Sequence, residues 1–455
     1  MMRCGCGAHA ETKTETKEEI KMAKTGLMVA AMALSLAAGA AWDRGEPVTT
    51  YWFGPGCPRK NSVKLDDFWA AQLKEGGFNT VWASNPEELD IAAKHGLRAI
   101  YCVDPNTEWA KIDLDDPAQK TFITERINRV KNHPALYIYE HYDEAAAELF
   151  PGLARVKEYI NKLDPNHAVW HNLLPTYANH KQLGVGGKEK EPQRLGFGGD
   201  KIASYWEHVR LFCETYQPEF ITYDYYQFMT TGDKREYFLN LGIIRQNAAA
   251  RKVPFWNGLQ ACTWVPGSLA SPRSPRIPNV DEMRYLANTT AAYGANGLYW
   301  YVYCMTGHDG TIASLDGKVG EKYEGLKKIN RDFIAFSKIL GDLDFKGAYC
   351  QGAHALGTTP YGEQALLKIT PEAPYSECKE LQRMEDTTLV TRFAAQGGRA
   401  YLMVVNCDYK KDRKIHVTAP FETERFDPAT GGWSSVGGEF DLDMIRGGGV
   451  LLRAR

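Results

Sequence analysis

ALYIYEHYDE, Ala135–Glu144, is the stretch on which the fold turns. It opens after His133-Pro134 as an apolar, aromatic run and ends on two adjacent carboxylates, Asp143 and Glu144. Helix-period segments flank it, TFITERINRVKNH (121–133) before and LFPGLARVKEYINKL (149–163) after. A short apolar run between helices reads as a buried parallel strand. If several such units close into a barrel, acids at the C-terminal end of a strand sit where barrel enzymes place their chemistry. The same pair would also suit the N-terminus of the following helix, where carboxylates are stabilised. The neighbouring strands favour the first reading.

Working outward, the same strand–loop–helix unit recurs. Strand candidates are TYWFG (50–54), NTVWAS (79–84), RAIYCVD (98–104), ALYIYEH (135–141), AVWHNLL (168–174), FITYDYY (220–226), PFWNGLQAC (254–262) and GLYWYVYC (297–304). Amphipathic helical segments separate them, several ending at glycine. About eight units in roughly 290 residues imply parallel strands with right-handed crossovers, a (β/α)8 TIM barrel spanning 48–343. An open doubly wound sheet is the competing topology, but no glycine fingerprint follows the first strand. Two connections are unusually long, 178–201 and 263–280. Both follow strands, so they read either as lids or subsite walls on the active face or as surface insertions. Beyond about Leu343 the helical period gives way to runs such as RAYLMVVNCD (399–408), RKIHVTA (413–419) and GGVLLRAR (448–455) with turn signals between them. These predict a small C-terminal antiparallel β-sandwich over 344–455, with a packing or accessory role.

Residues 1–41 read as a mis-started leader plus a secretory signal peptide. Met22-Ala23-Lys24 precedes LMVAAMALSLAAGA, which ends on the small-x-small pattern Ala38-Gly39-Ala40. The apolar run is too short for a comfortable membrane span. Export to the periplasm or the extracellular space, without a membrane anchor after cleavage, is the expectation. A net charge of -2 over 455 residues offers no basic field for nucleic acid. The cysteines lack the paired spacing of a zinc site. Cys102, Cys262 and Cys304 lie in apolar runs, where a free thiol behaves as a small hydrophobe. Cys262 and Cys304 also end neighbouring strands, where an exporting compartment would permit a bridge.

The strand ends converge on one chemistry. Strand four presents Asp143 and Glu144; strand five His171 and Asn172, with Tyr177 beyond; strand six Tyr223, Asp224, Tyr225 and Tyr226. Strand seven presents Trp256, Asn257 and Gln260, with Trp264 just after; strand eight Trp300, Tyr301 and Tyr303; strands one and two Trp52 and Trp82. A mouth of carboxylates, amides and flat rings suits sugars, whose C–H faces lie on rings while their hydroxyls bond to carboxylates and amides. Neither a phosphate cradle nor a metal cluster is visible, so no cofactor and no metal are expected. A lyase or aldolase would want a Schiff-base lysine or metal ligands at strand ends, and the strand list holds no such lysine.

HPALYIYEHYDEAA with FPGLARVKEYINKLDPNHAVWHNLLPTYA, and then FITYDYYQF, YFLNLGIIRQNAAARKVPFWN and AYGANGLYWYVY, resembles bacterial glycoside-hydrolase-like barrel proteins over about Tyr51 to Leu340. ERFDPATGGW and GGGVLLRAR resemble the β-domain often appended to them. The resemblance implies that Glu144 takes the general-acid position. Two departures matter. The usual D-E-P appears as Asp143-Glu144-Ala145, and strand seven, where cellulase-type and β-galactosidase-type barrels carry a nucleophile Glu, offers Asn257 and Gln260. Asp224 is therefore the preferred second carboxylate, as nucleophile or as base for a water. An adjacent D-E pair with Y-D on strand six is also similar to chitinase and hexosaminidase barrels that use substrate assistance. In that reading Asp143, Tyr223 and Asp224 would steady the substrate's own acetamido group. Glu140, sharing sequence parity with Glu144, is held in reserve. The expected function is an exported glycoside hydrolase acting on a carbohydrate. The rival is a carbohydrate-binding barrel without catalysis.

Overall fold

Local signals set the helices of the barrel. The Asp66 side chain accepts from the Trp69 amide at the start of Asp67–Glu75, and Asn85 accepts from Glu88 ahead of Pro86–Lys94. Asp116 caps Pro117–Val130, and Asn279 with Glu282 forms a reciprocal capping box at Val280–Ala292. Between these helices lie eight strands: β1 Val48–Trp52, β2 Thr80–Ala83, β3 Arg98–Cys102, β4 Leu136–Asp143, β5 Ala168–Leu173, β6 Ile221–Asp224, β7 Phe255–Gln260 and β8 Gly297–Tyr301. The computed structural model describes residues 42–58, 63–185, 199–265, 274–352, 357–371 and 387–455. The signal-like segment and much of the two long connections lie outside those residues.

All neighbouring strands that pair are parallel, in the order β1-β8-β7-β6-β5-β4-β3-β2. β1 and β2 meet at their feet, where Asn79 accepts from the Thr49 amide at 3.1 Å and donates its own amide to the Thr49 carbonyl at 3.2 Å. The expected (β/α)8 barrel is the observed fold. Register then decides which side chains fill it. Thr50 pairs with Tyr299, Tyr299 with Gly258, Gly258 with Asp224, and Asn172 with Thr222 and Asp143. These positions face inward, and the residues between them face the helices. The interior is aromatic. Trp52 packs against Trp82, Trp170 and Tyr299 at centroid distances of 5.3, 4.9 and 5.6 Å, and Trp170 packs on Trp256 at 5.7 Å.

Among the described residues the C-terminal segment forms one eight-stranded sheet, antiparallel except where Asp344–Gln351 pairs with Thr359–Pro360. The long strand Arg413–Asp427 shifts register between Thr418 and Thr423. Its first half pairs with Lys368–Pro371 and its second half with Gly449–Ala454. That break curls one sheet around Ile369, Val390, Val404, Ile415, Leu442 and Leu452, so it encloses a core as a sandwich would. The other face joins the barrel's core through Leu389, Phe393, Met403 and Leu451. Asn288 donates to the Gly447 carbonyl at 2.9 Å. Gly447, at φ +63°, lies so close to the Asp281 carbonyl and the Tyr285 amide that no side chain fits there.

The bridge between Cys262 and Cys304 is not formed. Both thiols are free and buried, pushed up to about 12 by burial, and Cys262 Sγ donates to the Tyr301 carbonyl at 3.4 Å.

Candidate active site

β4 reaches the mouth with a bulge. Glu140 pairs with Trp170, Tyr142 with His171 and Asp143 with Asn172, so His141 is the extra residue. The bulge reverses the sequence parity. Glu140 shares the inward face with Asp143, and His141 and Tyr142 turn together toward the helices. Tyr142 stacks on His171 at 5.8 Å, and His141 packs on Trp109 at 5.3 Å. Glu144 follows at φ +52°, a conformation costly for a non-glycine residue, and its amide donates to the Asn172 carbonyl at 2.9 Å. Neither acid serves as a cap residue. The single turn Ala147–Leu149 begins on Ala146, the helix Phe150–Leu163 begins on Leu149, and neither has a side-chain cap.

Asn172 joins the acids of two strands. Its Nδ2 donates to Asp143 Oδ1 at 3.2 Å and to Asp224 Oδ1 at 2.8 Å, while its Oδ1 accepts from the Tyr299 hydroxyl at 2.8 Å. The Tyr299 bond fixes which end of the amide faces the carboxylates. Room for the Tyr299 ring exists because position 258 is glycine. A Cβ there would lie 2.4 Å from the phenol oxygen and 2.3 Å from Cζ. Gly258→Ala is therefore expected to cost about 1–3 kcal/mol in stability. It should also lower catalytic turnover by displacing Tyr299 from Asn172; urea denaturation and steady-state kinetics on one preparation check both.

Three carboxylates in one recess compete for protons. Burial, and then the charge of Asp143, raise Glu144 to about 7 although it reaches solvent. Asp224 is only 4% exposed; burial first, then the charges of Glu144 and Asp143, hold it well above the ordinary Asp range. Two groups oppose that rise at Asp224, the Asn172 hydrogen bond and the Lys234 ammonium. For Glu144 the recorded influences all favour the neutral form. Both carboxyls are thus held toward the neutral form, Asp224 against the pull of Asn172 and Lys234. Lys234 Nζ lies 3.3 Å over the Tyr177 ring. The adjacent Asp233 accepts from Tyr409 of the C-terminal sheet at 2.6 Å, so that sheet helps to hold the loop carrying Lys234.

The expected site residues separate into three groups. Asp143, Glu144, Asn172, Asp224 and Tyr177 gather at the mouth, and Tyr226, Trp264 and Tyr301 form a ring wall beside them. Tyr226 lies 5.1 Å from Trp264 and 5.0 Å from Tyr301. Tyr225 packs on Tyr177 at 5.3 Å and donates to Glu236 at 3.0 Å. Trp52, Trp82 and Trp256 form the second group, the packed interior beneath. Trp82 donates its indole N–H to the Tyr51 carbonyl, and Trp256 stacks on Tyr137 toward the opposite end of the barrel. The third group faces the helices: His171, Tyr223, Asn257 and Trp300. Asn257 donates to Thr290 and Trp300 to Asn330. Tyr303 likewise donates to Gln72 rather than lining the mouth. Gln260 is inward but engaged, bonding both the amide and the carbonyl of Phe228 and the carbonyl of Arg276. It clamps two loops instead of presenting its amide to a ligand. Sequence reasoning missed Tyr299, Lys234 and Phe53, which packs against Tyr301 at 6.0 Å. For Tyr299 a signal existed, since strand alternation puts it on the face opposite Trp300.

No protein-family model and no curated protein matches this chain. Solved structures do. A glycoside hydrolase family 5 protein from Bacteroides vulgatus superposes with a TM-score of 0.52 at 13% identity, over 89% of this chain and 88% of that one. A chain titled glycoside hydrolase gives 0.48 at 14% identity over 89% and 92%. The endo-β-1,4-mannanase of Thermotoga petrophila gives 0.43 at 10% over 89% and 99%. The likeness is one of fold. It covers the barrel together with the appended sheet, and the chemistry has to be argued from the residues above.

The place of His171 has a measurable consequence. Its ring sits among Phe150, Phe212 and Tyr216, and neither ring nitrogen has a hydrogen-bond partner. Burial holds it well below the usual histidine range, with His141 and His208 nearby. A histidine depressed on folding binds fewer protons when folded, so stability is present above about pH 6.5 and is lost as pH falls below it. His171→Phe is therefore expected to raise the melting temperature at pH 5 more than at pH 8 and to leave catalytic rates within about twofold; thermal melts at the two pH values check it. Among the described residues no group of three or more His, Cys, Asp or Glu is arranged to hold a metal ion.

Proposed function

We propose that this chain is a glycoside hydrolase in which Glu144 protonates the departing glycosidic oxygen and Asp224 is the partner carboxylate. The observation that carries the reading is the Asn172 bridge. One amide nitrogen bonds Asp143 and Asp224, so acids from β4 and β6 share a single recess beside a wall of rings. Sugar C–H faces would stack on Tyr226, Trp264 and Tyr301 while hydroxyls bond to the acids and amides. Glu144, solvent-facing and protonated near neutrality, can reach a leaving group. Asp224, deeper and held by Asn172, stays in place while charge develops at the anomeric carbon. Asp143 supports Glu144 through its charge. The signal-like segment at 22–40 fits an exported enzyme, to be tested by N-terminal sequencing of the secreted protein.

The experiment is a screen of oligo- and polysaccharides with products followed by NMR. Release of a reducing sugar establishes hydrolysis, and the first-formed anomer assigns Asp224. Retention makes it the nucleophile; inversion makes it the base of a water. The rival, a binding barrel without turnover, is favoured by one observation: β7 ends on Gln260, clamped to the Phe228 and Arg276 backbone, where no carboxylate stands. Calorimetric binding without hydrolysis across the whole panel would select it.

A further inference from the structure

One contact joins the C-terminal sheet to the loop that leaves β6, and it ends beside the acids. From Gln227 to Lys234 that loop is closed on itself. The Lys234 amide donates to the Gln227 carbonyl at 2.9 Å, and the Gln227 side chain donates to Asp233 at 3.3 Å. Two further groups hold Asp233. Arg276 pairs with it at 3.4 Å, but the same guanidinium lies closer to Glu282, at 2.6 Å. The Tyr409 hydroxyl donates to Asp233 at 2.6 Å, a short bond to a charged acceptor and so the stronger kind. Tyr409 is itself fixed. It is buried, follows the strand Ala400–Asn406, and packs edge-on against Phe228 at 5.6 Å and on Tyr285 at 5.5 Å. By these distances the sheet grips Asp233 more firmly than Arg276 does. The next residue in the chain is Lys234, whose ammonium lies over Tyr177 at the mouth.

Resting on the glycosidase reading, we propose that Tyr409 is a positioning residue of this site: through Asp233 it sets where the Lys234 ammonium stands, so that the appended sheet takes part in the reaction at Asp224. That reaction needs a proton on Glu144 and a charge on Asp224. Burial and the carboxyls of Glu144 and Asp143 on β4 work against the second condition. The phenols around Asp224, those of Tyr177, Tyr205, Tyr226, Tyr299 and Tyr301, are held neutral by burial and bring no positive charge. The Asn172 bond and Lys234 work for it. An ammonium on a flexible four-carbon stem delivers its charge to one place only where the root of the stem is fixed. The bond from Tyr409 to Asp233 fixes that root. Without the hydroxyl, Lys234 loses its anchor on the sheet side and Asp224 takes up its proton more readily.

The test follows the Asp224 carboxyl directly, by carbon-13 NMR of the full chain labelled at aspartate, with the resonance assigned by its absence in Asp224→Asn. Tyr409→Phe removes only the hydroxyl and keeps both ring contacts; its melting temperature verifies the fold. Its Asp224 titration midpoint should move upward by about half a pH unit or more, and kcat should fall about three- to tenfold with KM little changed. Lys234→Met should move both at least as far, and Lys234→Arg should keep the wild-type midpoint. Tyr409→Phe added to Lys234→Met should change nothing further, because both act through one ammonium. An unmoved midpoint in Tyr409→Phe or in Lys234→Met, or effects that add in the double variant, would overturn the proposal and leave the glycosidase intact. So would a Tyr409→Phe chain that no longer melts cooperatively, which assigns the hydroxyl to folding. If the wild type hydrolyses nothing, the glycosidase reading falls by itself, and the titration still supports or refutes the link from Tyr409 to Lys234.

Discussion

Glu144→Gln is expected to lower kcat/KM on an unactivated glycoside by about 10²–10⁴-fold, the usual contribution of a general acid. The loss should shrink sharply on a dinitrophenyl glycoside, whose leaving group departs without a proton. A purely structural defect would reduce both substrates alike. The pH profile supplies a second readout. With its carboxyl raised to about 7, Glu144 is protonated below that value, so the wild-type rate should fall about tenfold per pH unit on the alkaline side. The variant should lose that limb. Stability should move the other way. Glu144 binds its proton more tightly in the folded chain than its ordinary value of 4.5 allows, so its ionisation weakens the fold as pH rises from 4.5 to about 7. A neutral amide carries no such penalty, and Glu144→Gln should melt no lower than wild type at pH 8.

The barrel was readable because its signals are local and repeated. NTVWAS, RAIYCVD and AVWHNLL are short apolar runs between capped helices, and each became a strand within a residue or two of its expected bounds. The C-terminal segment was half readable. RKIHVTA was recognisable, but the strand runs on to Asp427, and its partner Gly432–Met444 is too polar and glycine-rich to announce itself. One curled sheet also does what two were expected to do, because a register break inside a strand leaves no compositional trace. At the site, residue types were legible and directions were not. Tyr223 and Asp224 are adjacent in sequence yet face opposite sides of the sheet, and so do Tyr299 and Trp300. Counting by twos from Asp224 and Asn172 would have excluded His171 and Tyr223. The same count fails on β4, where the bulge at His141 exchanges the partner of Glu140 from Glu144 to Asp143. Only the paired register reveals that exchange.

Asp224→Ala is expected to abolish measurable turnover of natural glycans, with a loss of about a thousandfold or more. It is also the variant whose rescue is most informative. If Asp224 is the nucleophile, removing its carboxylate leaves a gap beneath the anomeric carbon, and added azide should restore cleavage of an activated glycoside with a glycosyl azide as product. If Asp224 is the base, azide entering on the same face gives the same inverted azide, so the anomer that the wild type releases with water decides between the two roles. Catalytic silence with every anion would return the role to Asp143, the other carboxylate on the Asn172 amide. The isosteric Asp224→Asn separates chemistry from packing, since an amide oxygen can still accept from Asn172. Its stability carries a sign of its own. The native carboxyl titrates well above its unfolded value, so the wild type loses stability as pH climbs from about 4 through the raised native value. Asp224→Asn should be inactive yet flatter in melting temperature over that window. A variant that melts lower than wild type at every pH would mean that the carboxylate, buried beside two like charges, supports the fold rather than a reaction.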